Sequence, residues 1–76
     1  MRYRIGARVA FIKGELHEAH PDYYPPEGTV GTVLHDYGAC VHVQWPKGTI
    51  RIQGQDADWK RQGFLEKTRV REVKDG

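Results

Sequence analysis

PPEGTVGTVLHDYGACVHVQWPKG, residues 25–48, is the stretch whose reading decides the fold. Val41, Val43 and Trp45 alternate with His42 and Gln44, a period of two that sends the first three to one face of a strand and the polar pair to the other. β-Branched and aromatic side chains suit such a pleated, half-buried surface. Residues 29–34 supply the partner strand, with Val33 its surest inward residue. Gly31 interrupts that strand, and a glycine there marks a bulge or a close backbone approach, as at a barrel corner. Between the strands lies His35-Asp36-Tyr37-Gly38, where Gly38 supplies the positive φ that a short hairpin loop needs. Pro46-Lys47-Gly48 turns the chain into residues 49–53, with Ile50 and Ile52 on one side and Arg51 on the other. The expectation is a three-stranded meander.

Upstream, residues 7–13 read as a first strand, with Val9 and Phe11 on one face and Ala10 and Ile12 on the other. Residues 14–28 form a long loop in which Pro21, Pro25 and Pro26 hold the backbone extended and remove donors. A loop of that length in so short a chain is functional or packed by its own side chains. Downstream, residues 54–63 form a second loop in which Asp56 is placed to cap a short turn carrying Trp59 and Lys60. Phe64 and Leu65 read as anchors returning to the core, and residues 68–73 as a last strand with Val70 inward. Five short strands at this spacing, with one long loop after the first, predict an all-β fold: a small five-stranded SH3-like barrel occupying residues 1–76 as a single domain. In such a barrel the first and last strands are neighbours, which brings Arg4 and Arg8 near Arg69 and Arg71.

Gly6-x-x-Val9, then Pro25-Pro26-Glu27-Gly28-Thr29-Val30-Gly31-Thr32-Val33, then Val41-His42-Val43-Gln44-Trp45, resembles a family of small uncharacterised bacterial and phage proteins. Those proteins share a Pro-x-Gly-Thr-x-Gly-Thr-Val core followed by a Val-x-Trp strand and a glycine turn. The resemblance covers about residues 6–52 and implies an SH3-like barrel; it implies no chemistry, because the family has none assigned. The chain departs from the family in a longer loop rich in His and Tyr, in Pro46-Lys47 where an acidic-polar turn is usual, and in the tail after Gln53. The barrel pattern is also similar to RNA-binding modules of ribosomal proteins and transcription factors, a likeness of fold that does not carry function with it.

Seventy-six residues make one small domain with a limited core, burying roughly 60–65% of the unfolded surface. The single cysteine, Cys40, excludes an internal disulfide and fits a reducing, cytoplasmic setting. No apolar run has the length of a membrane span or a signal segment. The net charge of +2 says less than its distribution. Arg2, Arg4, Arg8 and Lys13 open the chain without an acid, and Lys60, Arg61, Lys67, Arg69, Arg71 and Lys74 crowd its end. Glu15, Glu18, Asp22, Glu27, Asp36, Asp56 and Asp58 lie between them, so the folded domain is expected to have a basic side and an acidic side.

Four constellations bear on function. His17-Glu18-Ala19-His20 places two imidazoles three apart, with Glu15, Asp22 or His35 as further ligands; the spacing is not that of a zinc protease, Pro21 prevents a stable helix, and a solvated loop explains it without a metal. Cys40 beside His35 or His42 lacks an orienting third group and an oxyanion-hole segment, so it reads as a small hydrophobe; no catalytic residue and no cofactor are assigned. Tyr23 and Tyr24 before Pro25-Pro26, with Tyr37 and Trp59, would form an aromatic groove for an extended peptide, or simply cover a small core. Arg2, Arg4, Arg8, Arg51, Lys60, Arg61, Arg69 and Arg71 would follow a phosphate backbone, with Trp59 or Tyr37 stacking on bases; Glu66 and Glu72 break up that surface. The expectation is a non-catalytic binding module for nucleic acid on the side of the first and last strands, with a peptide-binding aromatic groove as the alternative.

Overall fold

The alternation of residues 40–45 is realised as a central strand with Val41, Val43 and Trp45 buried and His42 and Gln44 partly exposed. The computed structural model describes residues 2–12 and 24–74. Among the described residues seven strands run in chain order: β1 (Arg8–Phe11), β2 (Val30–Asp36), β3 (Cys40–Gln44), β4 (Arg51–Ile52), β5 (Gln55–Asp56), β6 (Gln62–Glu66) and β7 (Val70–Glu72). Two single 3₁₀ turns, Asp58–Lys60 and Lys67–Arg69, precede β6 and β7. Five strands make one antiparallel sheet in the order β6-β3-β2-β1-β7, and β4 and β5 form a separate ribbon. Among the described residues the sheet stays open, with β6 and β7 as its edges.

Residues 49–53 do not run beside β3; that place is taken by β6, with Val41 opposite Leu65 and His42 opposite Phe64. The reason is local. Gln53 and Gly54 both have positive φ, 52° and 78°, which is the two-residue turn that folds a strand straight back on itself. Arg51 and Ile52 therefore pair with Gln55 and Asp56, while Ile50 just before them stays buried in the core. Phe64 is not a core anchor: pairing with His42 puts it on the outer face, 64% exposed, whereas Leu65 points in at 5%. Two boundaries also move. The last strand starts at Val70 because Lys67–Arg69 coil into a turn, and the turn carrying Trp59 begins at Ala57 with no side-chain cap.

A bulge sets which residues face which way. Val33 pairs with Val43, but His35 pairs with His42, so Leu34 is an extra residue on β2. Every side chain after it changes face. His35 is turned outward and Asp36 inward, in a row with Val41 and Leu65. The inner face gathers Val9, Phe11, Val33, Val41, Val43, Trp45, Leu65 and Val70, with Ile50 and Ala57 packed on them. Phe11 meets Trp45 edge-on, with centroids 6.0 Å apart, and stacks on Tyr24 at 5.6 Å. Pro25 beside Tyr24 is buried too.

Asp36 closes the open end of this core. Its carboxylate accepts hydrogen bonds from the Tyr3 N–H (2.6 Å) and the Gly38 N–H (2.7 Å), and pairs with the Lys67 ammonium at 2.9 Å. One side chain thus ties the N-terminal lead-in, the β2–β3 turn and the turn before β7. Burial pushes its pKa up, but Lys67 and the two N–H donors outweigh that and hold it well below the ordinary carboxylate range. Because the folded pKa is depressed, the stability it contributes is present above the unfolded value of 3.8 and is lost as pH falls below it. Asp36→Asn is expected to melt lower than the wild type at neutral pH, with the difference closing on acidification below that value. Thermal melts across a pH series measure it, and a gap that stays constant into strong acid would show that the carboxylate charge is not its source.

Candidate nucleic-acid interface

The outer face of the sheet is built by the residues that alternate with the core. Paired residues share a face, so the register gives rows across the strands. One row runs Arg8, Thr32, Gln44 and Gln62 across β1, β2, β3 and β6. Three inter-strand steps make it about 14 Å long. Arg8 stands at one end. Arg61, which precedes β6 and whose carbonyl accepts the Trp45 N–H at 2.8 Å, stands at the other. Between them is an open groove of about 290 Å³ lined by Arg8, Val30, Thr32, Gln44, Pro46 and Arg61. Arg71 lies opposite Ala10, two residues along β1 from Arg8 and on the same face. Two cations at the ends and hydrogen-bonding side chains on the floor can hold an anionic chain laid across the strands.

The next row along the strands is aromatic. Two residues from Gln44 and Gln62 come His42 and Phe64, stacked at 4.5 Å and 15°. His35 is opposite His42 and packs on Tyr37 at 4.4 Å, and Tyr37 reaches Phe64 at 5.6 Å. The four rings form a continuous patch outside the sheet. Phe64 and Tyr37 are 64% and 54% exposed. Cys40 lies beyond them, half-buried, opposite Glu66.

The predicted basic residues divide. β1 and β7 are neighbours, as expected, and Arg71 shares the outer face with Arg8, while Arg61 lines the groove with Arg8. Arg69 does not join them: its guanidinium lies 5.5 Å over the Tyr24 ring, which is itself stacked on Phe11. The turn before β7 carries Arg69 there, so residue and ring are used in covering the core. Arg4 belongs to the lead-in, beside Arg2, Tyr3 and Glu72. Arg51 bonds the Gly54 carbonyl within the β4–β5 ribbon. Trp59 is 73% exposed in the turn before β6, with the Lys60 ammonium 5.3 Å from its ring centroid.

Of the described peptide-groove residues, Tyr24 and Tyr37 are not brought together. Tyr24 is packed against Phe11 and Arg69, Tyr37 belongs to the outer ring patch, and Tyr23 lies outside the described residues, as do His17 and His20 of the metal reading. Among the described residues no group of three His, Cys, Asp or Glu side chains is placed to hold a metal ion, and no helix is long and apolar enough to cross a membrane. Sequence reasoning put His42 on the polar face but missed Phe64 as a surface residue, and so missed the pair they form. The period-two pattern of Gln62-Gly63-Phe64-Leu65-Glu66 was available to show that Phe64 and Leu65 cannot both face inward. Comparison with protein-family models, with curated proteins and with solved structures finds no match for this chain.

Proposed function

We propose that this chain is a non-catalytic, cytoplasmic nucleic-acid-binding domain of SH3-like topology, and that it binds through the outer face of its sheet. The strand order supports the topology: the first strand sits between the second and the last, and the second and third follow as an antiparallel hairpin. The observation that carries the function is the row from Arg8 to Arg61. Two guanidinium groups flank a floor of Thr32 and Gln44, with Arg71 on the same face. Guanidinium groups match phosphate oxygens in geometry, and polar side chains complete such contacts without reading sequence. Two acids of the middle of the chain are engaged elsewhere: Asp36 is turned inward and paired with Lys67, and Asp58 accepts the Gly48 N–H at 2.9 Å.

Binding by this face releases counterions, so affinity falls with salt. Each phosphate contact contributes a log–log slope of about −0.9 on duplex DNA and about −0.7 on single strands. Arg8→Ala and Arg61→Ala are each expected to reduce the slope by about that amount and to weaken all sequences alike. Arg69→Ala is expected to lower stability and leave the slope unchanged, since its guanidinium lies over Tyr24. Fluorescence anisotropy with labelled oligonucleotides from low to moderate salt measures all three. Absence of binding at tens of micromolar protein and low salt would remove the function.

A further inference from the structure

We infer that the ligand is single-stranded nucleic acid and that unpaired bases stack on the ring patch of His35, Tyr37, His42 and Phe64. The inference rests on the nucleic-acid reading above and adds where bases go and which form of nucleic acid is taken. The rings are surface by construction. Val41, Val43 and Leu65, which alternate with His42 and Phe64, fill the core on the opposite face. They are also adjacent to the charge. His42 and Phe64 lie two residues from Gln44 and Gln62, about 7 Å along the strands, so the patch starts one side-chain row from the arginine-flanked groove. That step is of the order of one nucleotide, which lets a strand keep phosphates over Arg8 and Arg61 while its bases lie over the rings.

Charge complementarity selects the occupant. An uncharged peptide would use the rings and leave Arg8, Arg61 and Arg71 without a role, and an identical copy would bring like charges together over the same face. A duplex satisfies the arginines but not the rings, because its bases are already stacked on one another. Only an unpaired strand offers both a phosphate chain and free base faces, and aromatic stacking with a basic groove is how such strands are held without sequence preference.

The test uses the full chain with short oligo(dT), oligo(rU) and a duplex of equal length, read by anisotropy. Phe64→Ala is expected to weaken single-strand binding roughly 5- to 150-fold, the equivalent of ~1–3 kcal/mol for one stacked base, and to leave duplex binding unchanged. Phe64→Trp is expected to restore or strengthen it. Because Phe64 is exposed, both variants keep the fold, which circular dichroism checks. Independently, the ring proton resonances of His42 are expected to move upfield on adding oligo(dT). If Phe64→Ala leaves oligo(dT) affinity unchanged while Arg8→Ala still lowers the salt slope, the stacking inference falls and the nucleic-acid reading stands. If no oligonucleotide binds, both fall. If sedimentation shows a dimer that Phe64→Ala dissociates, the patch is a self-association surface and the inference is overturned.

Discussion

Trp45→Ala is expected to lower the stability of this domain by about 3–5 kcal/mol, the range for deleting a large buried aromatic. Total stabilities of natural domains run about 5–15 kcal/mol, and short chains sit low in that range, so the variant has little or no folded population left to measure. The argument is one of position. Trp45 is 3% exposed, meets Phe11 edge-on and covers the backbone of Gly31. Removing it strips a wall from the inner face where β1, β2 and β3 meet, and the surrounding side chains, mainly valines, lack the reach to fill the space. Urea denaturation followed by circular dichroism measures the effect. In a Trp59→Phe background the remaining tryptophan reports directly on the core, with blue-shifted emission shielded from iodide. A Trp45→Ala protein with the urea midpoint of the wild type would show that the ring contributes nothing to the core.

What the sequence made legible was whatever depends on period and turn chemistry alone. Val41-His42-Val43-Gln44-Trp45 announces its buried face, Gly38 its turn, and Val9, Phe11 and Val70 their inward positions. What stayed hidden depends on a single residue acting at a distance. The bulge at Leu34 exchanges the faces of His35 and Asp36, and no local preference marks Leu34 as the extra residue. Without it the inward carboxylate, and with it the tie to Tyr3 and Lys67, has no reason to exist. The Gln53-Gly54 turn was equally decisive: once it folds the chain back, the place beside β3 is left to β6, and with β6 come Phe64 and Arg61. The positions of the basic residues followed the same rule. Arg8 and Arg71 share a face because adjacency of the first and last strands is a property of topology, whereas a one-turn coil carries Arg69 towards Tyr24.

Gly31→Ala and Gly31→Val test the tightest point of the fold. A Cβ at this position would lie 2.6 Å and 2.8 Å from the Trp45 ring carbons Cε3 and Cζ3, and 2.8 Å from Val43 Cγ1. Nothing else about the position resists a side chain, because Gly31 is not among the glycines with positive φ. On conformational entropy alone, alanine in place of a strand glycine gains roughly 0.5–1 kcal/mol. The contact acts in the opposite direction. A rigid indole packed on Phe11 cannot swing aside as a flexible chain end would, so the overpacking cost of about 1–3 kcal/mol wins and both variants are less stable, valine more so than alanine. The cause can be isolated by a cycle. In a Trp45→Leu background the ring carbons are gone, and Gly31→Ala is expected to cost less than it does against Trp45, with a coupling of about 0.5–3 kcal/mol between the two sites. Equal costs in the two backgrounds would mean that the indole is not what the new methyl meets, and the close approach of β2 to Trp45 would have to be abandoned.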